Sequence, residues 1–268
     1  MVNMISEPGF PWPLLLAGWL GSAVLMALLW AWHLRSGNAG VVDVGWAGSL
    51  AGMAVGYGLA GEGLAPRRAV VAGMMTVWGA RLALYLWRDR VWRRPEDPRY
   101  AELREAWRTA LPARFFVFFQ AQALLAAALS LPVAIAVTDR QPSLRWTEYL
   151  ALALWVVAVA GEALADRQLE RFKDDPHSHG RVCRAGLWRY SRHPNYFFEW
   201  LVWVAYALAA SASPWGALAW ACPAIMLFLL FRVTGIPATE AHALHSRGDA
   251  YRQYQQTTSV FVPWLPRG

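Results

Sequence analysis

Long apolar segments dominate the chain and predict most of its secondary structure. The first covers residues 11–33 and contains no Asp, Glu, Lys or Arg, and about 20 apolar residues are enough for a helix to cross a bilayer. Six more segments of this kind occupy residues 41–60, 69–87, 115–137, 149–165, 196–212 and 214–231. Only Ser213 separates the last two, which predicts a helical hairpin. The pattern therefore predicts an all-α integral membrane protein with seven transmembrane helices.

The tail that follows the seventh segment has a different pattern. Between residues 239 and 256, charged side chains alternate with Leu244, Tyr251 and Tyr254, so the segment is too polar to cross a bilayer. We expect a short amphipathic helix on the cytoplasmic face, broken near Gly248. Because no internal repeat or low-complexity linker divides the chain, residues 1–268 are predicted to form a single membrane domain.

The distribution of Lys and Arg predicts the orientation. Three connections and the tail carry 20 of these residues, the opposite face carries four, and Arg81 lies inside a predicted span. By the positive-inside rule the richer side is cytoplasmic, which places the N-terminus outside and the C-terminus inside. We expect a multi-pass membrane protein, which in a bacterium would lie in the inner membrane. We attribute the net charge of +7 to the residues that set the orientation and to the binding of an anionic ligand. We expect no nucleic-acid partner.

The usual motifs of soluble nucleotide sites and metal sites are missing from the sequence. There is no G-x-G-x-x-G or G-x-x-x-x-G-K-[ST] motif, so any nucleotide must be held by the membrane fold itself. No His or Cys cluster has the spacing of a metal site. Cys183 and Cys222 lie in a basic loop and an apolar segment, respectively, so we expect no disulfide between them.

Ionisable residues inside the predicted spans are expensive and therefore informative. Each costs at least about 2.5 kcal/mol at the centre of a span and usually faces a cavity or a partner. Four spans contain one, namely Asp43, Arg81, Glu162 and Glu199. Asp43 and Glu162 lie near span ends, where they could simply reach the headgroups. Arg81 lies deeper; it could pair with Asp43, but lining an interior cavity is the better interpretation.

The stretch from residue 162 to 199 concentrates side chains that can bind phosphate. Its polar members are Asp166, Arg171, Lys173, Arg181, Arg189, Arg192, His193 and Asn195, interleaved with Tyr190 and Tyr196. Guanidinium groups match phosphate oxygens, and a helix starting at Pro194 would add its N-terminal partial positive charge. Each residue alone fits a solvated basic loop. The spacing of Asn195 and Glu199, one turn apart after Arg192 and His193, favours a binding site.

Two segments resemble a known superfamily. The sequence G-L-W-R-Y-S-R-H-P-N-Y at 186–196, followed by Glu199, and the tail E-A-H-A-L-H-S-R-G-D-A-Y-R-Q-Y at 240–254, followed by Val262 and Pro263, are similar to the steroid 5α-reductase-like membrane reductases. Within them the chain resembles the bacterial group labelled DUF1295. Sterol C14 and Δ7 reductases look similar at the same places. The resemblance spans most of the chain.

This resemblance implies an NADPH-dependent reductase that acts on an activated C=C bond in a lipid, such as a steroid enone, taken from the bilayer. The cofactor would lie in the half formed by residues 162–268, facing the cytoplasm. The sequence leaves the oligomeric state open, and a monomer is plausible. The residues that match the family's cofactor contacts are Arg81, Asp166, Arg171, Arg181, Tyr190, Arg192, His193, Asn195, Glu199, Glu240 and Tyr254.

The catalytic residues are less well matched. Hydride transfer to the β-carbon puts negative charge on the carbonyl oxygen, which a donor must stabilise. Steroid reductases use a Glu on the second helix and a Tyr on the third. In this chain Asp43 is the only acid of the second span, and Trp78 occupies the position of the expected Tyr. Asp43 and Tyr85 are therefore the predicted catalytic pair.

Two other functions fit the same segments. Isoprenylcysteine carboxyl methyltransferases share the R-H-P-x-Y segment and a similar tail but use S-adenosylmethionine. Asn195 followed by Glu199 favours the reductases, because the methyltransferases usually carry a small residue and Gly there. A non-catalytic lipid-binding relative is the third hypothesis, since the expected Tyr is missing.

Overall fold

The protein is all-helical wherever its structure is described. The computed structural model covers residues 9–178, 180–233 and 235–267, which form ten α-helices joined by short 3₁₀ and π turns. Within these ranges the sole strand-like feature is an isolated bridge between Ser191 and Ser259. The predicted all-α class is therefore confirmed.

The helices belong to two compact units. Unit 1 contains the residues up to Trp146 and Ala209–Ala219, and unit 2 contains Thr147–Leu208 and the residues from Trp220 onward. Unit 1 holds α1 (Trp12–Ser36), α2 (Val41–Ala60), α3 (Ala65–Leu86), α4 (Pro98–Ala106), α5 (Leu111–Leu129) and α6 (Leu131–Thr138). Unit 2 holds nearly all of α7 (Trp146–Asp174) and α8 (Pro194–Ala210), with α9 (Ala221–Arg232) and α10 (Ile236–Thr257). The single membrane domain stays a prediction.

Five helical segments of the described chain are long and apolar enough to cross a membrane, which fits a multi-pass membrane protein. They are Trp12–Ser36, Ala65–Val91, Arg108–Thr138, Trp146–Asp174 and Gly216–Thr257. Two predicted spans are not among them. α2 contains five glycines and Asp43, which dilute its hydropathy, and α8 has 17 residues, slightly fewer than the usual span.

Small residues allow close packing within unit 1. A Cβ added to Gly79 on α3 would lie 2.8 Å from the carbonyl oxygen of Ala47 on α2, so the two backbones nearly touch, as small residues permit in membrane helix pairs. Gly45 plays the same part between α2 and α1, because its Cβ would lie 2.3 Å from Leu29 Cδ1.

Several predicted boundaries were wrong. The predicted span at 115–137 lies within the candidate segment Arg108–Thr138, but it is divided into α5 and α6. Helix α5 ends at Leu129, and Pro132 follows in the first turn of α6 without an N–H to donate. The turn between α8 and the next helical residue covers 211–215 and not Ser213 alone. α7 continues to Asp174, so Asp166 lies within a helix and not in a loop.

Two further features concern the polar connections. Helix α4 was missed, although Asp97 caps it by accepting a 3.0 Å hydrogen bond from Arg99 N, and Pro98 takes the first helical position. The predicted tail helix is present as α10, and it is interrupted at Gly248, where φ is 52° and ψ is −126°. Both cysteines are buried.

One buried arginine fixes the connection that follows α6. Arg67 on α3 is fully buried, although it is one of the four Lys and Arg residues that the positive-inside rule assigns to the less basic face. Its guanidinium donates to the carbonyl oxygens of Asp139 (2.9 Å), Gln141 (3.0 Å) and Ser143 (2.7 Å). Arg145 donates to the Asp139 carboxylate over 2.7 Å. Burial alone would raise the pKa of Asp139, but the hydrogen bond from Gln141 N, the charge of Arg67 and the hydrogen bond from Arg145 hold that pKa below its usual value.

Replacing Arg67 should destabilise this unit strongly. Arg67→Met leaves three carbonyl oxygens without their donor and the buried Asp139 carboxylate with Arg145 as its remaining cation, a loss of about 3–5 kcal/mol, and we expect a clearly lower melting temperature in detergent micelles. Arg140→Met is the control, because Arg140 pairs with Glu62 at the surface, where such pairs contribute about 0–1 kcal/mol. Equal melting temperatures for the two variants would contradict this role.

Candidate cofactor site

The R-H-P-N segment of unit 2 is fastened to α7 by two hydrogen bonds. The chain turns at Gly186, whose φ of +58° favours glycine. Directly after it, Leu187 N donates to Gln168 Oε1 over 2.9 Å. The indole N–H of Trp188 then donates to the carbonyl oxygen of Ala165, also over 2.9 Å. These contacts fix residues 186–190 on the last third of α7.

The same segment is held from the other side by the C-terminal tail. Arg192 N donates to Ser259 O over 2.8 Å, and Ser191 Oγ donates to Phe261 O over 2.8 Å. The hydroxyl of Tyr254 donates to the carbonyl oxygens of Trp188 and of Ser191, the latter at 3.2 Å. Tyr254, a predicted cofactor contact, thus has a structural role in these contacts.

Glu240 on α10 joins four side chains. Its Oε1 accepts from Arg192 Nε over 2.6 Å, and it lies 3.4 Å from His193 Nε2 and 3.5 Å from the Tyr251 hydroxyl. Its Oε2 accepts from Gln255 Nε2 over 2.9 Å. Arg192 and Glu240 have side-chain exposures of only 9% and 16%, so this is a mostly buried ion pair. It attaches α10 to the start of α8.

Arg192 has further contacts inside the protein. Its Nη1 donates to the carbonyl oxygens of Gln255 (2.9 Å) and Thr258 (2.7 Å), which neutralises the C-terminal end of α10. His193 stacks on Tyr196, with 5.3 Å between ring centroids and 6° between planes. The fold thus brings Arg192, His193 and Glu240 together, and these contacts give them a positioning role. Their contact with a cofactor stays a prediction.

The side-chain amide of Asn195 is only half bonded in the described part of the chain. In the first turn of α8, its Nδ2 donates to Asp166 Oδ1 over 3.2 Å. Its Oδ1 is buried and has no hydrogen-bond partner in the described part of the chain. The reverse amide orientation would place two oxygens against each other, so Nδ2 must face Asp166. A buried acceptor without a donor costs about 1–3 kcal/mol, so this atom is suited to a ligand's N–H or O–H.

The remaining predicted cofactor residues of unit 2 lie around this cluster. Glu199 follows Asn195 by one turn on the same face of α8. Arg171 and Arg181 are exposed, and Tyr190 is 37% exposed. None of these three is drawn into the Glu240 cluster by the hydrogen bonds described above. Their side chains remain accessible to a ligand from solution.

In unit 1 the predicted catalytic residue Asp43 accepts several hydrogen bonds. Tyr100 donates its hydroxyl to Oδ1 over 2.7 Å, Arg99 Nη2 lies 3.4 Å from Oδ2, and Arg90 donates to the same oxygen. Burial, and next the charge of Asp43, raise the pKa of Tyr100. Asp43 therefore holds α4 and the preceding π turn on α2. A catalytic role for it stays a prediction.

The two other predicted residues of unit 1 lie on α3. Arg81 and Tyr85 are one turn apart and partly buried, while Trp78, at the position of the expected Tyr, is fully buried. Nothing in the described contacts tests their roles. The described residues contain no group of three or more potential metal ligands.

Sequence reasoning missed the residues that support the site rather than bind a ligand. Gln168, Tyr251 and Gln255 are the clearest examples, because each contacts a predicted residue or its backbone. Tyr251 and Gln255 are four apart in α10 and therefore share a face. That spacing was the available signal, but the partner it faces could not be read from the sequence.

Comparisons with known proteins cover almost the same region as the predicted resemblance. The family described as "Protein of unknown function (DUF1295)", which lies in the steroid 5α-reductase-like group, matches residues 29–258. An uncharacterized protein of Schizosaccharomyces pombe is 30% identical over 282 residues, which cover 92% of this chain and 79% of that protein. No solved structure matches the chain. The family match includes the R-H-P-N segment and all of α10.

Removing Glu240 should loosen α10. Glu240→Ala leaves the largely buried guanidinium of Arg192 without its carboxylate, and we expect a loss of about 2–4 kcal/mol and faster amide hydrogen exchange over α10. Asp249→Ala is the control in the same helix, because Asp249 is exposed and pairs with Arg252 only at the surface. Unchanged exchange in the Glu240 variant would show that the cluster does not hold the helix.

Proposed function

The chain belongs to the DUF1295 family of the steroid 5α-reductase-like group, and on that premise we propose that it is a membrane reductase. It would reduce an activated C=C bond, of the enone type, in a steroid or another lipid, with NADPH as the hydride source. The observation that supports this most is the buried, donor-less Oδ1 of Asn195 beside Asp166. A dinucleotide offers such an atom the N–H of its carboxamide or a ribose hydroxyl.

The proposal includes seven spans and a defined orientation. α2 and α8 would complete the five segments that meet the length and hydropathy of a span. The excess of 20 Lys and Arg over four on the opposite side supports a cytoplasmic C-terminus, an external N-terminus and, in a bacterium, the inner membrane. α10 would then lie on the cytoplasmic face, where a soluble cofactor is available.

The residues of unit 2 fit the chemistry of the cofactor. Asn195 supplies an acceptor whose orientation is fixed by Asp166. The exposed guanidinium groups of Arg171 and Arg181 suit phosphate oxygens, which accept bidentate hydrogen bonds. Tyr190 adds a half-exposed aromatic surface. When bound, NADPH would supply the hydride for the β-carbon of the lipid substrate, and a proton must reach the α-carbon to complete the reduction.

The Glu240 cluster has a supporting role in this proposal. By anchoring Arg192 and His193, it keeps the start of α8 in one conformation, so that Asn195 and Glu199 are already oriented before the cofactor arrives. Such preorganisation reduces the entropy lost on binding. Arg192 and Glu240 would then influence cofactor affinity through the position of α8 and not through direct contact.

NADPH binding should depend on Asn195 in a specific way. We expect NADPH to raise the melting temperature of the purified protein, and S-adenosylmethionine to leave it unchanged. Asn195→Ala should weaken NADPH binding about tenfold or more, because it removes the acceptor for which the cofactor is the donor, while the melting temperature without cofactor changes little.

Asn38→Ala is the matched control. Both amide atoms of Asn38 are already bonded within the protein, to Gly40 N and Arg90 O, so this variant should lose stability but keep its NADPH affinity. Stabilisation by S-adenosylmethionine alone would favour a methyltransferase. Stabilisation by neither, with no loss of NADPH absorbance on adding enones, would favour a lipid-binding protein without chemistry.

A further inference from the structure

The last residues of the chain expose an unusual amount of apolar side chain. Val262, Trp264 and Leu265 are 52%, 72% and 73% exposed. With Tyr190 and Pro263, the last two line a surface groove of about 320 Å³. Trp264 and Leu265 are among the most exposed large apolar residues of the described chain. Single exposed apolar residues are ordinary, but a contiguous group of them indicates an interaction surface. We call residues 262–265 the C-terminal apolar segment.

Hydrogen bonds on both sides hold the C-terminal apolar segment in place. Trp264 N donates to Tyr190 O over 2.9 Å, and Arg267 N donates to Thr257 O over 2.9 Å. Just before the segment, Ser191 donates to the carbonyl oxygen of Phe261. The backbone is therefore ordered while the side chains remain uncovered, which is the arrangement expected of a preformed docking surface.

The segment lies at the ends of two apolar helices. Phe261 packs between α8 and α9, with ring centroids 5.6 Å from Phe197 and 5.2 Å from Phe231. Phe197 is in the first turn of α8 and Phe231 is in the last turn of α9. On α9, Phe228 is 60% exposed and, just beyond its end, Val233 is 54% exposed. The exposed apolar side chains of α9 thus extend to the end of that helix, close to Phe261, where the segment begins.

The charge around the segment has one sign. Exposed Arg189 directly precedes Tyr190, and exposed Arg267 follows the segment. No Asp or Glu occurs in residues 180–198 or 250–267. An aromatic ring beside arginines and at the level of helix ends suits the headgroup region of a bilayer, where Trp is enriched. Anionic lipids attract basic residues in this position.

We propose that the C-terminal apolar segment docks on the bilayer surface, with Trp264 and Leu265 inserted among the headgroups and Arg189 and Arg267 contacting anionic phospholipid. The docking does not depend on the proposed cofactor function, although Tyr190 lines the groove and is also a predicted cofactor residue. Docking would attach the tail that follows α10 to the membrane. Because this tail is also bonded to the residues just before α8, docking would limit the movement of α10 away from α8.

Labelling at Leu265 tests the docking directly. The two native cysteines are buried, so a Leu265→Cys protein can be labelled at one site with an environment-sensitive fluorophore and placed in nanodiscs. Asp249→Cys, on the exposed side of α10, is the control. We expect the label at 265 to be quenched by doxyl groups on the lipids and shielded from aqueous iodide, and the label at 249 to show the opposite.

Varying the lipid charge and adding NADPH distinguish what covers the C-terminal apolar segment. Doxyl quenching at 265 should rise when phosphatidylglycerol is added to phosphatidylcholine, and it should lose that dependence when Arg189→Gln and Arg267→Gln are introduced. Iodide quenching at 265 as strong as at 249 would overturn the proposal. Protection of the label from both quenchers would also overturn the proposal, since it indicates a second protein chain. Protection that appears only with NADPH would overturn it as well, since it indicates that the cofactor covers the segment.

Discussion

The ion pair between Arg192 and Glu240 is the interaction on which unit 2 depends. Neither group is freely hydrated, and a charge removed from water must find its partner in the protein. Arg192 meets this requirement with Glu240 and the last carbonyl oxygens of α10, and Glu240 meets it with Arg192, Gln255 and neighbouring donors. Because Arg192 directly precedes His193 and α8, the pair joins the amphipathic tail helix to the first turn of an apolar one.

This ion pair changes which arginines of residues 162–199 are available to bind phosphate. Arginines near a predicted nucleotide site suggest contacts with phosphate. The guanidinium of Arg192, however, is bonded to Glu240 and to backbone carbonyl oxygens, so the exposed Arg171 and Arg181 are better suited to phosphate. Asn195 has the opposite character: its Nδ2 is bonded and its buried Oδ1 is not. The proposal of a reductase thus depends more on one unsatisfied amide oxygen than on the number of positive charges.

The sequence predicted the helical class well because hydropathy reports directly on burial in lipid. It predicted the start of α8, where Pro194 takes the first position, and the interruption of α10 at Gly248. It failed where a local choice depends on distant partners. Arg67 looked like a topology charge, because only the fold reveals the three carbonyl oxygens it binds. The sequence also does not show that Arg90, Arg99 and Tyr100 approach Asp43, whose catalytic role stays a prediction.

A cryo-electron microscopy map of the protein with NADPH tests the central claim most directly. The account predicts cofactor density at the start of α8, with a carboxamide or hydroxyl donor of the cofactor about 2.7–3.2 Å from Asn195 Oδ1 and Glu240 still bonded to Arg192. Density that leaves Asn195 Oδ1 without a donor, or a protein side chain bonded to that oxygen while the cofactor lies elsewhere, would contradict it.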